Sequence, residues 1–264
     1  GGGGTGNGGG GTPDIPSGSG IKFAAAGDWG SGRNSNWQKV VAAMKKEKPT
    51  VVLIPGDMSY SGGVGKWKPV TDAIKAFGAK VLGAQGNHDG SEYASTFDAY
   101  SNSVTTIGNT SFMALNSNST GSAVSYAKAN MSKMTGRWKV VFFHHPVYTV
   151  KSDHGATMGS IQPVLAAGKV DVCIAAHNHN YQRFAPIGGV THIVSGLGGE
   201  GPYGVGSYSG TPANVKKYNS TFGFVVLTTS NNAISGKFID VSDKVIDSFQ
   251  ITKGAAARTY VFSN

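Results

Sequence analysis

One cysteine in 264 residues, Cys173, excludes any disulfide within the chain. It lies in the apolar run Val170-Asp171-Val172-Cys173-Ile174, the setting of a buried structural thiol rather than a reactive one. No run of about 18 apolar residues occurs, so no transmembrane helix is indicated. Charged residues are also scarce, at 14%, yet Lys and Arg (23) outnumber Asp and Glu (14) for a formal net charge of +9. Sparse lysines of this kind keep a fold soluble, and a basic balance favours anionic substrates at long range. No basic stretch is interleaved with aromatics, which argues against a single-stranded nucleic acid partner. Met44-Lys45-Lys46-Glu47-Lys48 reads as a solvated helix end. Asn-x-Ser/Thr sequons at Asn109, Asn118, Asn130 and Asn219 carry little weight in a chain this rich in Asn, Ser and Thr.

Glycine, by contrast, is abundant at 40 residues, and much of the excess is local. Residues 1–20 contain almost no apolar side chains, so burial cannot offset their ordering entropy, and they read as a flexible leader. Such a segment fits either the terminus left by signal removal, hence a secreted or extracytoplasmic protein, or a tether from something upstream. The rest is long enough for one large α/β domain over residues 21–253, with an irregular tail at 254–264.

Short apolar runs punctuate that domain. Ile21–Ala26, Thr50–Ile54 and Lys80–Ala84 read as strands. Helical spacing at Asn34–Glu47 and Pro69–Phe77 separates them, which predicts βαβ units and a parallel sheet. Ser111–Leu115 and Ala123–Met134 read as a strand and a helix, and Lys139–Phe143, Val170–Ala175 and Thr191–Ser195 as further strands. Phe222–Thr228, Ala233–Asp240 and Lys244–Ile251 alternate with turns, as antiparallel strands do. The expected architecture is a mixed α/β, two-sheet sandwich flanked by helices.

Polar blocks follow five of the runs: Gly27-Asp28-Trp29-Gly30, Gly56-Asp57-Met58-Ser59-Tyr60, Gly86-Asn87-His88-Asp89, Phe143-His144 and His177-Asn178-His179. Each alone is a weak signal. Together they set carboxylates, an amide and imidazoles at several strand ends, where open α/β sheets bind ligands and where a two-metal hydrolase needs its donors. An aspartate suits bridging, since its two oxygens can each face one cation. His177 and His179, at i and i+2 of an extended segment, would reach one cluster together.

The blocks resemble those of the calcineurin-like metallophosphoesterases, and most closely the purple acid phosphatases, over about Ile21 to Gly201. Many relatives in the wider superfamily carry Asp-x-His in the first block; here the third position is Gly30. Tyr60, three residues after Asp57, instead matches the tyrosine that purple acid phosphatases use as a metal ligand. A phenolate is a hard anionic donor suited to Fe(III). The resemblance implies Fe(III) held by Asp28, Asp57, Tyr60 and His179. It implies a divalent ion (Fe, Zn or Mn) held by Asp57, Asn87, His144 and His177, with Asp57 bridging. His88 matches the family's substrate-contacting histidine. His154 falls near where a second one is expected, in a loop one residue longer than in some small relatives, so Asp153 shares that candidacy. His177-Asn178-His179-Asn180-Tyr181-Gln182-Arg183 resembles Gly-His-x-His-x-Tyr-x-Arg with Ala176 for glycine. His145 and His192 are read as structural.

The implied activity is hydrolysis of small phosphate monoesters by metal-activated hydroxide with an acidic optimum, without a specific nucleic acid partner and with the oligomeric state open. A divalent-metal phosphodiesterase or nucleotidase is the alternative within the superfamily. A non-catalytic, tethered surface module is the alternative outside it.

Overall fold

Fifteen strands and four α-helices are present in the computed structural model, which describes residues 15–150, 157–206, 213–253 and 258–262. The first βαβ units run β1 (Lys22–Ala25), α1 (Trp37–Glu47), β2 (Val51–Ile54), α2 (Gly63–Lys75) and β3 (Lys80–Gly83). A two-residue strand, β4 (Ala99–Tyr100), then pairs beside β3. The hairpin β5 (Ser103–Ile107) and β6 (Thr110–Ala114) opens the second sheet. It continues through α3 (Thr120–Asn130), β7 (Trp138–Phe142), α4 (Gln162–Ala167), β8 (Val172–Ala175), β9 (Tyr181–Phe184), β10 (Thr191–Ser195) and β11 (Asn214–Tyr218). The antiparallel run β12 (Gly223–Thr229), β13 (Ala233–Asp240), β14 (Val245–Lys253) and β15 (Arg258–Phe262) returns to the first sheet.

The eight-stranded sheet has the order β15-β14-β13-β12-β1-β2-β3-β4, and the seven-stranded sheet β11-β9-β10-β8-β7-β6-β5. Strand β1 lies parallel to β2 and antiparallel to β12, with Lys22 opposite Thr228. The sheets face each other across a layer of Phe23, Val51, Leu53, Phe112, Val140, Phe142, Ile174 and Leu227, all buried. Phe23 and Phe112 meet edge-on across it, ring centres 5.2 Å apart. Fully burying one such side chain stabilises by about 1.5–3 kcal/mol. Helices α1 and α2 cover the outer face of the first sheet through Val40, Met44, Trp67, Val70 and Ile74. Ala123, Ala127, Ile161 and Leu165 cover that of the second. Among the described residues no helix is long and apolar enough to cross a membrane.

Three expectations need correction. Helix α2 starts six residues before Pro69, because buried Trp67 continues the stripe of Val70 and Ile74 toward the N-terminus. Pro69 lies inside the helix and removes one intrahelical N–H donor, a loss that the helix tolerates. The tail contains β15, a β-branched and aromatic segment paired with β14 (Lys253 opposite Arg258). Of the leader, residues 15–20 belong to the fold: Ile15 packs on the inter-sheet core and Gly18 N–H bonds Gly108 O at 3.1 Å.

Two buried polar groups sit in this framework. The Arg183 guanidinium on β9 pairs with Asp247 on β14 at 2.7 and 2.9 Å, and Tyr181 O–H donates to the same carboxylate at 2.8 Å. The tyrosine and arginine that end the motif of the fifth block thus tie the two sheets together. His192 Nε2–H on β10 donates to Gln162 Oε1 at 2.7 Å, and burial lowers the pKa of this histidine from 6.5 to about 3. An unfolded histidine takes up a proton that this one refuses, so its contribution to stability is full above about pH 6.5 and is lost as pH falls toward 3. His192→Gln, neutral throughout, should flatten the loss of stability between pH 7 and pH 4 by on the order of 2 kcal/mol in urea titrations. Parallel curves for the two proteins would remove His192 from the acid response.

Candidate metal centre

The parallel strands of both sheets end on one rim. Asp28 follows β1, Asp57 and Tyr60 follow β2, and Asn87 and His88 follow β3. His144 follows β7, and His177 and His179 follow β8. Each chain turns sharply there: Asp28, Asp57 and His177 hold left-handed backbones with φ of 58°, 52° and 68°. Non-glycine residues avoid that region at a cost of order 1 kcal/mol each, and such strain concentrates at functional sites. The strained loops are laced together. Asp28 N–H donates to Gly56 O (3.1 Å), Trp29 N–H to Asp57 O (2.9 Å), and Ala176 N–H to His144 O (2.9 Å).

Four side chains meet in one half of the site. Tyr60 Oη lies 3.2 Å from Asp28 Oδ1, 3.1 Å from Asp57 Oδ2 and 3.1 Å from His179 Nε2. In the other half, His144 Nε2 lies 3.0 Å from Asn87 Oδ1, 3.3 Å from Asp57 Oδ2 and 3.1 Å from His177 Nδ1. Metal–nitrogen and metal–oxygen bonds are about 2.0–2.2 Å long, so two donors at right angles on one ion stand about 3 Å apart. The observed separations match that spacing in both halves. Two rings also present the required nitrogen. His144 Nδ1 is within hydrogen-bond distance of Pro55 O (3.0 Å) and His179 Nδ1 of Gly201 O (3.0 Å), so each Nδ1 carries the proton and each Nε2 faces the site with a lone pair.

The sequence reading of one of these groups changes. Asp57 does not offer one oxygen to each half: Oδ2 faces both, while Oδ1 accepts the His88 N–H at 3.0 Å. The His177-x-His179 pair reaches the cluster together and divides between its halves as the resemblance implies. The left-handed turn at His177 sends one ring to His144 and the other to Tyr60.

The electrostatics favour a cation here. Asp28 is fully buried and its Oδ2 has no hydrogen-bond partner among the described residues. Burial, with Asp57 adding repulsion, pushes the Asp28 carboxyl well above the carboxylate range despite attraction from His144. Burial and the two aspartates likewise drive the Tyr60 phenol far above its ordinary value. Burial disfavours charge on His144, but Asp57 and Asp28 outweigh it and raise its pKa to about 9. Burial would raise Asp57 too, yet His144 and the His88 backbone hold it below the usual range. The lone pairs of His144 Nε2 and Asn87 Oδ1 face each other at 3.0 Å, an arrangement that only a proton or a cation makes favourable. The residues fit two metal ions.

His88 stands at the rim with 44% of its side chain exposed, its ring tilted on that of Tyr60 at 4.4 Å. His154 and Asp153 lie outside the described residues. Other supports carried no recognisable signal in the sequence. Asp89 accepts the N–H groups of Asp57 (2.7 Å), Met58 (2.9 Å) and Gly86 (2.8 Å), binding the β2 and β3 loops to each other. Burial and the Asp57 charge raise its pKa to about 6. Tyr203 donates its O–H to His177 O at 2.7 Å and lays its ring 4.4 Å from that of His179. At Gly30 φ is 63°, and a Cβ would meet Asn34 Nδ2 at 2.5 Å and Glu200 Oε2 at 3.0 Å. No histidine fits there without displacing both.

The family model described as calcineurin-like phosphoesterase matches residues 21–181. Purple acid phosphatase 7 of Arabidopsis thaliana is 28% identical over 129 residues, 48% of this chain and 39% of that protein. Purple acid phosphatase 18 of the same plant is 26% identical over 220 residues, 68% of this chain and 50% of that protein. The chain thus spans half or less of the length of these relatives. Among solved structures, purple acid phosphatase PPD1 from yellow lupin superposes with a TM-score of 0.73 at 19% identity, covering 90% of this chain and 54% of that one. GAP50, the anchor in the inner membrane complex of Plasmodium, gives 0.72 at 20% identity, covering 89% and 90%. These two likenesses speak for the fold alone.

Proposed function

Because the chain belongs to the calcineurin-like phosphoesterases, we propose that it hydrolyses phosphate monoesters at a centre of Fe(III) and a divalent ion. The observation that carries this reading is the meeting of Tyr60 Oη with Asp28, Asp57 and His179 at 3.1–3.2 Å, beside a Gly30 that leaves no room for histidine. Asp28, Asp57, Tyr60 and His179 would hold Fe(III); Asp57, Asn87, His144 and His177 would hold Fe, Zn or Mn. Bound there, the two ions supply Lewis acidity that acidifies a water and draws charge from the phosphoryl oxygens. The protein's own work is orientation. Pro55 and Gly201 carbonyls fix two ligand rings, and Asp89 fixes the loops that carry Asp57 and Asn87. His88 at the rim is placed to contact a phosphoryl oxygen or, when protonated, to give its proton to the leaving alkoxide. That role favours an acidic optimum and suits a secreted or extracytoplasmic setting. The substrates are small phosphate esters, selected by the segment between β2 and α2 (59–62) and by the one that follows β10 (196–206).

The test is a visible spectrum and metal analysis of wild type and Tyr60→Phe, beside hydrolysis of an aryl phosphate against pH. Wild type should show a tyrosinate-to-Fe(III) band that Tyr60→Phe lacks. A colourless protein activated by added Mn(II) would favour the divalent-only phosphodiesterase or nucleotidase. A metal-loaded protein inert on esters would favour a binding module, as the fold shared with the GAP50 anchor permits.

A further inference from the structure

Ser117, buried between β6 and α3, has three close neighbours. Its Oγ accepts the backbone N–H of His144 at 3.2 Å and of His145 at 3.0 Å. A serine hydroxyl has two lone pairs and one proton. Both lone pairs are engaged, so the proton goes to the remaining neighbour, His145 Nδ1 at 2.9 Å. A neutral imidazole that accepts at Nδ1 carries its own proton on Nε2. His145 is half-buried, and the edge held by Ser117 is the inner one. Among the described residues Nε2 has no hydrogen-bond partner. The ring stands 4.6 Å from that of His177 and 5.0 Å from that of His144. Ring nitrogens of these three histidines lie within 4.8 Å of one another, a grouping compact enough to hold a metal by itself. With its proton on Nε2, His145 can donate but cannot ligate.

We propose that His145 is a substrate-contacting residue whose Nε2–H donates to a phosphoryl oxygen beside the divalent half of the site. Ser117 is the positioning residue that fixes the tautomer. The proposal rests on the phosphomonoesterase reading above. It replaces the structural role that the sequence suggests for His145.

Calorimetric binding of inorganic phosphate to the metal-loaded protein tests it, with metal content, KM and kcat measured alongside. His145→Phe keeps the ring's bulk and should weaken phosphate binding about tenfold, raising KM more than it lowers kcat. His145→Gln, which returns an N–H near the position of Nε2, should recover most of that loss. Ser117→Ala should cost about threefold alone and nothing further in the His145→Phe background, since its effect passes through the ring. Phosphate binding within twofold of wild type in a metal-loaded His145→Phe overturns the proposal, as does loss of metal in both His145 variants. Wild type that takes up metal but neither binds phosphate nor cleaves esters overturns the underlying reading and this inference with it.

Discussion

Asp28→Asn and His144→Ala should each lower kcat/KM on an aryl phosphate by at least about 10³-fold, the loss of some 4 kcal/mol of transition-state stabilisation. Both side chains are fully buried and both bring a donor atom to the rim. Their metal-free behaviour should differ, and that difference separates chemistry from folding. The Asp28 carboxyl already resists ionisation, because burial and Asp57 oppose its charge and Oδ2 has no partner. An amide of the same shape removes that conflict. Metal-free Asp28→Asn should therefore melt at or above the metal-free wild-type temperature, yet gain little on adding metal. His144→Ala instead leaves a cavity and strips Asp57 of a neighbour 3.3 Å away, so it should also melt lower without metal. Wild-type turnover in either variant would end the assignment of these residues as ligands.

Gly86→Ala should be nearly as damaging although it removes no donor. A Cβ at this position would lie 2.2 Å from Asp57 Oδ1 and 2.4 Å from Asp57 N, with the backbone among the atoms struck. Neither the shared aspartate nor the β3 loop can stay in place. Gly86 N–H also bonds Asp89, which in turn holds Asp57 and Met58, so a shift spreads through both loops. A loss of about 10²-fold or more in kcat/KM and about 1–3 kcal/mol in stability is expected. Unchanged metal content with unchanged turnover would show that the loops accommodate the methyl group, against the contact distances.

The positions of the donors were legible because each follows a short apolar run, and burial on both faces of a parallel strand leaves that mark. Asp28, Asp57, Asn87, His144 and His177 all stand just past such runs, and all ten runs read as strands are strands within a residue or two. What was not legible depends on contacts far apart in sequence. Asp89 reads as a turn residue until the β2 loop appears over it, 31 and 32 residues away. Strands β9 and β11 lack an apolar run because Gln182 and Arg183 are buried in pairs and Lys216 and Lys217 sit on an edge strand. Pro69 masks the first turns of helix α2, since proline is common at the first helical position and rare further in. Nor could spacing alone divide His177 from His179, since the division turns on one left-handed residue.

The pairing of β1 with β12 has a consequence for how the protein comes into being. Lys22 finds Thr228 across some two hundred residues of chain, and Arg183 finds Asp247 across sixty-four. On a ribosome the strand that precedes Asp28 emerges about two hundred residues before β12, the antiparallel neighbour it must wait for. The early βαβ units meanwhile expose strand edges and the uncompensated carboxylates of Asp28 and Asp57. Assembly is therefore ordered in time: the rim closes only after β12 has paired with β1, and any metal ion would be taken up after that point.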